Sequence, residues 1–391
     1  MAKFLWLNWS GGGNLPPSLG IARALTERGH TVAFAGRPEM VPRVVAAGFR
    51  AIELTEAYAQ LDRYPANSPM SRAACYLTSP AVADQMRAVV TAEAPDLVLI
   101  DGMVPAALAQ AQDFGRPTVA VSHTFVFRML ERWRGTTNAL NGMRQQAGFD
   151  ALPDLDTLWR GCDRLIVTTL GEFDAAALPG WESVRHVGPV LEDEKVAVPT
   201  ALPWGADDTT PLALMSFSTG FEQRSVEKLQ RGLDALADLP LHVVATTGGI
   251  VEPSELKAPG NAVVLNYAAH DPIIKHAALV VTHGGHGTAM RALKYGVPMI
   301  VIPGLAHDQA VIAALMEEWG TGIAMPGDVP FGGAGNAKAL TQEEAVAALR
   351  DAAAKILATP SYRQNAQARA KALAGIDGAA NAAKEIEALL P

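Results

Sequence analysis

Apolar runs alternate with segments of helical periodicity through the first half of the chain. The runs are short and apolar on both faces, and they predict strands at residues 3–9, 31–36, 96–101, 117–123 and 164–169. Between them, apolar positions in segments such as 18–29 and 104–115 recur with the spacing of an α-helix. Continuously apolar strands that alternate with helices indicate a parallel sheet covered on both faces. Ligands are then expected at the carboxyl ends of the strands.

The alternation breaks between residues 186 and 211, where four prolines and a cluster of acidic residues show no period. Such a composition is typical of a linker. The alternation then restarts, with strands predicted at 212–220, 241–249, 262–267, 279–285 and 298–304. The sequence therefore predicts an α/β fold with two Rossmann-like, doubly wound parallel-sheet domains that face each other across a cleft.

The predicted boundaries are an N-terminal domain at 1–195, a linker at 196–209, a C-terminal domain at 210–375 and a last helix at 376–391. Thr341 and Glu344 have the spacing of a capping box, which predicts a helix that begins there and ends before Pro360. The last helix has an apolar stripe that could pack on either domain, the N-terminal one included.

Composition and charge exclude several classes of function. The chain has 391 residues, 49% of them hydrophobic and 18% charged, with a formal net charge of −8. An acidic protein of this kind is not expected to bind nucleic acid or an anionic membrane through non-specific attraction. The two cysteines, Cys75 and Cys162, lie far apart and do not indicate a disulfide framework or a zinc site. No run is long enough for a membrane span and no signal peptide is evident, so a cytoplasmic location is expected.

The most informative stretch runs from residue 279 to residue 309. It reads as a buried strand, a glycine-rich turn with two histidines, a helix from about Thr288, and a second strand that ends in a polar turn. The backbone N–H groups at the start of that helix would form an anion site, because the helix dipole favours negative charge there. A metal site at His283 and His286 is not expected, since no further ligand follows at a suitable spacing.

Within this stretch, "THGGHGT", "ALKYGVPMIVIP" and "HDQ" resemble the donor-binding signature of the nucleotide-sugar glycosyltransferases of the GT-B fold. The group is UDP-glycosyltransferase-like and includes bacterial natural-product glycosyltransferases. The resemblance extends over nearly the whole chain. It implies an inverting, metal-independent hexosyltransferase that uses a UDP- or dTDP-sugar as co-substrate, with no other cofactor. The acceptor is expected to be small and lipophilic, phenolic, polyketide-like or an amine, and the protein a monomer or a homodimer.

The resemblance also implies roles for residues of the C-terminal half. His283 and the amides of Gly285, His286 and Gly287 would contact the diphosphate, and the hydroxyl of Thr288 would join them. The remaining donor contacts implied are Ser218 and Thr219 over the phosphates, Tyr267 stacked on the nucleobase, and Asp308 and Gln309 on the sugar. His270 and His276 match no functional position and are expected to be structural.

In the N-terminal half the family pattern is broken. Members usually carry a histidine base in the first glycine-rich loop and an aspartate that orients it. Asp101 matches the aspartate, but Asn14 stands at the histidine position, and an amide cannot accept a proton at neutral pH. Three alternatives follow: Asp101 is the base with Asn14 positioning it or the acceptor, which we favour; His123 is the base; or the acceptor needs little base.

Acceptor recognition is expected from loops of the N-terminal half. Residues 55–80 and 124–160 are rich in aromatic residues and methionine, which suit a flat lipophilic acceptor. Phe125 and Phe127 are the specific candidates there, together with Gly13 in the first loop, where a glycine lets the backbone approach a ligand.

Two other functions compete. The first is an NAD(P)-dependent oxidoreductase, which is suggested by the opening glycines and by Arg37 after the second strand. In such an enzyme Arg37 would bind the 2′-phosphate of NADP. Against it, Pro16 takes the place of the third glycine of the dinucleotide-binding motif. The second alternative is a non-catalytic sugar-nucleotide-binding protein that has lost its base, and Asn14 is its only support.

Overall fold

A computed structural model describes residues 1–9, 13–64, 69–191, 204, 208–217, 224–304, 306–327 and 340–390. The chain divides into two units, the first containing Met1–Glu192 with Ile376–Pro391 and the second Asp193–Gly375. Each unit is built on one parallel sheet with helices, so the predicted α/β fold of two parallel-sheet domains is confirmed. Of the predicted linker 196–209, only residues 204, 208 and 209 lie within the described part of the chain.

The first unit has a seven-stranded sheet in the order β3-β2-β1-β4-β5-β6-β7. Its strands are β1 (Lys3–Leu7), β2 (Thr31–Gly36), β3 (Arg50–Glu53), β4 (Leu97–Asp101), β5 (Thr118–Ser122), β6 (Arg164–Val167) and β7 (Val184–His186). Its helices are α1 (Leu15–Glu27), α2 (Val41–Ala46), α3 (Pro69–Thr78), α4 (Pro80–Glu93), α5 (Pro105–Leu108), α6 (Leu130–Gln146) and α7 (Leu155–Arg160). The apolar strands β1, β4 and β5 lie at the centre of this sheet, where both faces are covered.

The last helix, Gly378–Glu387, completes the core of the first unit. Ile386 is fully buried in the same apolar cluster as Leu19 and Ile21 of α1. At the end of this helix, the carboxylate of Glu387 accepts a hydrogen bond from Arg28, and its Oε1 lies 2.7 Å from Nε2 of His30. His30 directly precedes β2. A fully buried isoleucine contributes roughly 1.5–3 kcal/mol, so the helix stabilises a unit that is distant from it in sequence.

The second unit has a six-stranded sheet in the order β10-β9-β8-β11-β12-β13. Its strands are β8 (Leu212–Ser216), β9 (His242–Thr246), β10 (Ala262–Leu265), β11 (Ala277–Thr282), β12 (Met299–Val301) and β13 (Gly322–Ala324). Its helices are α8 (Val226–Leu236), α9 (Asp271–Ile274), α10 (His286–Lys294), α11 (His307–Glu318), α12 (Gln342–Ala358) and α13 (Pro360–Leu373); the helix Gly378–Glu387 of the first unit is then α14. The capping box of Thr341 and Glu344 is present at the start of α12, as predicted.

Several elements differ from the prediction. The segment 104–115 is helical only over Pro105–Leu108, followed by a 3-10 turn at Ala111–Phe114. Helix α10 begins at His286 and so includes the second histidine of the glycine-rich turn. Pro360 both follows α12 and starts α13, because a proline needs no N–H partner in the first turn of a helix.

Candidate active site

Asn14 is the N-cap residue of α1, yet its side chain does not cap the helix. A capping oxygen normally accepts from the backbone N–H of the second or third helical residue. Here those residues are Pro16 and Pro17, which have no N–H to donate. The side-chain amide of Asn14 instead donates to Asp101, with Nδ2 at 3.3 Å from each carboxylate oxygen.

Asp101 ends β4 at the carboxyl edge of the first sheet and its side chain is completely buried. Oδ1 accepts from the backbone N–H of Met103 at 2.9 Å, which forms a tight turn after the strand. Oδ2 lies 3.2 Å from Nε2 of His123. Each oxygen therefore has a donor in addition to the amide of Asn14, and neither presents surface to solvent.

His123 follows β5, which pairs in parallel with β4. The strand pairing brings the two carboxyl ends together, and this explains why residues separated by 22 positions touch. The imidazole is almost fully buried, with 6% of the side chain exposed, and Nδ1 is a buried atom that lacks a hydrogen-bond partner among the described residues. With Nε2–H donating to Asp101, Nδ1 carries the lone pair and can accept a proton.

The same edge holds two further polar residues, Asn8, which the sequence did not single out, and Tyr76, one of the aromatic residues of the segment 55–80. Asn8 follows β1, is buried, and donates through Nδ2 to the hydroxyl of Ser18 at 2.9 Å. The backbone carbonyl of Asn8 accepts from the hydroxyl of Tyr76 at 2.6 Å. The expectation that ligands bind at the carboxyl ends of parallel strands could have pointed to Asn8, whereas Tyr76 reaches this edge from α3.

The candidate acceptor contacts differ in exposure. Gly13 is exposed, and a Cβ placed on it would meet no atom within 4 Å, so packing does not require a glycine there. Phe125 is fully buried and Phe127 is 8% exposed, with its ring packed edge-on against Trp181. The two phenylalanines therefore have packing contacts in the first unit, and their contact with an acceptor stays a prediction.

In the second unit, β11 ends at Thr282 and the turn to α10 follows directly. Gly284 has a φ of +83°, a conformation that favours glycine, and a Cβ there would lie 2.7 Å from Val301 Cγ1. A Cβ on Gly285 would lie 2.7 Å from Nε2 of His283. The turn therefore fits closely around the His283 ring. Residues His286, Gly287 and Thr288 form the first turn of α10, and the backbone N–H groups of a first helical turn have no acceptor within the helix.

Burial and the nearby cation of Lys228 lower the pKa of His283 to about 4, and a hydrogen bond to the backbone of Ser216 opposes the shift. His283 is therefore neutral at physiological pH and would act as a hydrogen-bond donor rather than as a positive charge. Lys228 lies in the first turn of α8, where Ser225 caps the helix through the backbone N–H of Lys228. Sequence reasoning missed this lysine, because no motif connects it to His283.

Asp308 and Gln309 begin α11 beside the same turn. A Cβ on Gly284 would lie 3.1 Å from the backbone oxygen of Gln309, so the structure brings the two predicted donor segments together. Gln309 is buried and accepts from the backbone N–H of Gly304 at 2.6 Å. Burial raises the pKa of Asp308 to about 6, against the effect of the backbone N–H groups of Asp308 and Gln309.

The other predicted donor contacts are separate from this turn. Tyr267 follows the edge strand β10, three strands from β11, and is 40% exposed. Strands lie about 4.8 Å apart, so Tyr267 is roughly 14 Å from the phosphate turn, which leaves room for a nucleoside. Ser218 and Thr219 lie outside the described residues.

His270 also lies at the carboxyl edge of the second sheet. Its Nε2 lies 3.3 Å from the hydroxyl of Thr246, and that hydroxyl donates to Ser216 at 2.8 Å. Burial, with the charge of Arg291, lowers the pKa of His270 to about 4. The predicted structural role of this histidine is compatible with these contacts.

In the described part of the chain, no three histidine, cysteine, aspartate or glutamate side chains are grouped so that they could hold a metal ion. Nor does any helix there have the length and apolar character needed to cross a membrane.

Comparisons with known proteins indicate the class of enzyme. Residues 218–326 match the glycosyltransferase family 28 C-terminal domain. The NDP-glycosyltransferase YjiC of Bacillus subtilis is 23% identical over 97% of this chain and 95% of its own. Among solved structures, the calicheamicin glycosyltransferase CalG4 superposes with a TM-score of 0.75 at 23% identity, covering 100% of this chain and 98% of its own. The glycosyltransferase VinC in complex with dTDP gives a TM-score of 0.73 at 17% identity, with 99% of each chain covered.

The chain is therefore a glycosyltransferase with the GT-B fold, and it is similar to bacterial natural-product glycosyltransferases. The second unit carries the family 28 type of C-terminal domain. The prediction that the chain is a glycosyltransferase is confirmed, and the oxidoreductase alternative finds no support among these relatives.

Proposed function

We propose that the protein transfers a hexose from a UDP- or dTDP-sugar to a small lipophilic acceptor with inversion at the anomeric carbon. VinC, a relative in fold, was solved with dTDP, which supports a nucleotide of this kind as the donor's leaving group. The observation that carries the proposal is the buried pair of Asp101 and His123, because Nδ1 of this histidine has no hydrogen-bond partner among the described residues and gives the first unit a proton acceptor.

In this proposal His123 is the general base and Asp101 orients it. The contacts of Asp101 support this alternative over Asp101 itself, because its oxygens are buried and already accept from Asn14, Met103 and His123. The backbone N–H of Met103 holds Oδ1, which leaves Oδ2 directed at the imidazole, while the amide of Asn14 donates to both oxygens. An acceptor hydroxyl or amine that reached Nδ1 would satisfy a buried nitrogen that has no partner in the described part of the chain.

The reaction is a single displacement. The acceptor oxygen or nitrogen forms a bond to the anomeric carbon while the bond from that carbon to the phosphate oxygen breaks. The proton of the acceptor passes to Nδ1 of His123, and the electron pair of the broken bond leaves with the nucleoside diphosphate. General-base assistance of this kind contributes about 10²–10⁴ in rate.

The second unit would hold the donor. The N–H groups of Gly285, His286 and Gly287, with the hydroxyl of Thr288 and neutral His283, would bind the diphosphate and stabilise its growing charge. Asp308 and Gln309 would bind the sugar, and Tyr267 would stack on the base. Ser218 and Thr219 are proposed for the phosphates on the resemblance alone, and Gly13, Phe125 and Phe127 for the acceptor.

The test is a transfer assay with UDP-α-glucose and dTDP-α-glucose against neutral phenols, arylamines and polyketides. We expect a product with a β-configured glycosidic bond, identified by its NMR coupling constant. An α-configured product would contradict inversion. Tight binding of the nucleotide sugars, with no product for any donor and acceptor pair, would instead favour a protein that binds sugar nucleotides without catalysis.

A further inference from the structure

A cationic and aromatic group of side chains lies at the carboxyl edge of the first sheet and has no part in the proposed reaction. We call it the Arg37 cluster; it consists of Trp9, Arg37, Glu39, Tyr58 and Arg72. Trp9 follows β1 and Arg37 follows β2, and the guanidinium carbon of Arg37 lies 5.0 Å from the centre of the Trp9 ring. Nε of Arg37 donates to the hydroxyl of Tyr58 at 2.9 Å.

The cluster has more positive than negative charge. Arg37 and Arg72 both approach the same oxygen of Glu39, at 3.3 and 3.9 Å. The side chain of Glu39 is 51% exposed, whereas that of Arg37 is only 12% exposed. A largely buried guanidinium therefore shares a solvated carboxylate with a second arginine. Because a buried charge is costly without full compensation, the cluster favours a further anion.

The cluster is also aligned with the proposed base. The strands run in the order β2-β1-β4-β5, so Arg37 is two strands from Asp101 and three from His123. At about 4.8 Å per strand, a group bound at Arg37 would lie roughly 10 Å from Asp101 and roughly 14 Å from the imidazole. Between them, Trp9 lies 5.8 Å from the ring of Tyr76, which provides an aromatic surface along the same edge.

We propose that the Arg37 cluster binds a carboxylate of the acceptor, so that the acceptor is an aromatic hydroxy or amino acid with its nucleophile roughly 10–15 Å from the acid group. The planar guanidinium recognises carboxylates through paired N–H donors, and Trp9 and Tyr58 provide apolar contact beside the charge. This assignment rests on the proposed function, because it names the substrate class of the same acceptor site.

The first experiment measures binding without turnover. The probes are 4′-hydroxybiphenyl-4-carboxylate and its methyl ester, which share the biphenyl frame and differ in charge and by one methyl group, and affinity is measured by calorimetry. We expect the wild-type protein to bind the acid about tenfold more tightly than the ester. Arg37→Met should remove this preference, and Arg37→Lys should retain part of it, since lysine keeps the charge but not the planar fork.

Arg87→Met is the matched control, because Arg87 is an arginine of the same unit, 53% exposed, that pairs with Asp84 on α4. It should leave both affinities unchanged, and circular dichroism of every variant establishes that it is folded. Equal affinity of the wild-type protein for acid and ester would overturn the proposal, and this comparison needs no variant. So would NADP⁺ binding that Arg37→Met abolishes while the acid preference persists, because the cluster would then be a nucleotide phosphate site.

A transfer assay with the same probes separates the two proposals. Transfer of glucose to acid and ester at equal kcat/KM would reject the carboxylate subsite and leave the glycosyltransferase proposal intact. An Arg37-dependent preference for the acid in calorimetry, with no transfer to any acceptor, would support the subsite and contradict the proposed reaction.

Discussion

Nε2 of His123 lies 3.2 Å from Oδ2 of Asp101, in a pair whose members follow adjacent parallel strands of the first sheet. A histidine beside this aspartate is what the family resemblance implies, but the resemblance places it in the first loop. Here the first loop supplies Asn14 to the same carboxylate, and the imidazole comes from the end of β5. Asp101 thus has a histidine partner, but this histidine belongs to a different segment of the chain.

His123→Gln should lower kcat by about 10²–10⁴ and leave donor affinity unchanged, because glutamine can occupy the site but cannot take a proton. The double variant Asn14→His/His123→Gln should regain at least about tenfold, since a histidine at position 14 would stand beside Asp101 in the place that the family resemblance implies. Steady-state kinetics with a neutral phenol measure both effects.

Asn14→His alone is the control. It shows whether a histidine at position 14 raises kcat even when His123 is present, or only restores the activity lost in His123→Gln. If His123→Gln retained wild-type turnover, His123 would not be the base, and loss of activity in Asp101→Asn would then support the alternative that Asp101 acts as the base.

The strength of the sequence prediction differs between elements for physical reasons. The central strands are continuous apolar runs, because both faces of the sheet are covered, and they were predicted at the right places. The missed strands are short and lie at or next to the edges of their sheets: β3, β7 and β13. Arg50–Glu53 and Val184–His186 contain charged residues and are only partly buried, so tertiary pairing rather than local pattern decides that they are strands.

The candidate site was predictable where one segment contains it. The turn from His283 to Thr288 is contiguous, and its motif identified it. His123 was foreseen as one alternative base, but its pairing with Asp101 was not, because strand order decides which strand ends meet. The contact of Arg37 with Tyr58 was not foreseen, since Tyr58 comes from a loop without a periodic pattern.

Gly285→Ala should weaken binding of the nucleotide sugar about tenfold or more, because the added Cβ would lie 2.7 Å from His283 Nε2 and displace the ring. Calorimetric titration with UDP measures the effect. The matched control is Gly260→Ala, in the same unit, where a Cβ meets no atom within 4 Å. Equal UDP affinity of the two variants would contradict the role of this turn in phosphate binding.

The second unit should lose stability in acid through His283 and His270. Their pKa values are lowered to about 4, so the unfolded chain binds these protons more tightly than the folded protein. Their contribution to stability is complete above the ordinary histidine pKa of about 6.5 and is lost as the pH falls toward 4. Between pH 7 and pH 5, the free energy of unfolding should therefore fall by about 1–2 kcal/mol less in His283→Gln than in the wild type.

Urea unfolding at the two pH values measures this difference. His276→Gln, at an exposed position of the same unit, should behave as the wild type. An acid sensitivity of His283→Gln equal to that of the wild type would show that this histidine is not held neutral in the folded state.

Ile386→Ala should destabilise the first unit by about 2–5 kcal/mol, since it removes a fully buried side chain of α14 from the core beside α1. Hydrogen exchange should show the loss of protection in β1 and β4. Leu178→Ala, at a 48% exposed position of the same unit, is the control and should cost less than about 0.5 kcal/mol. A similarly small effect of Ile386→Ala would mean that α14 does not contribute to this core.

Asp308→Asn should stabilise the second unit at pH 7.5 and weaken donor binding at the same time. Burial raises the pKa of Asp308 to about 6 from a usual value of 3.8, so the folded state binds this proton more tightly than the unfolded chain. The ionised carboxylate therefore costs stability, and that cost is absent below about pH 4 and grows as the pH rises through 6. Asparagine has no charge to desolvate, so we expect a gain of about 1–2 kcal/mol at pH 7.5 that vanishes at pH 4. Urea unfolding at both pH values measures the gain, with the exposed Asp351→Asn of α12 as control. If the variant bound UDP-glucose as tightly as the wild type, the Asp308 carboxylate would have no function in holding the sugar.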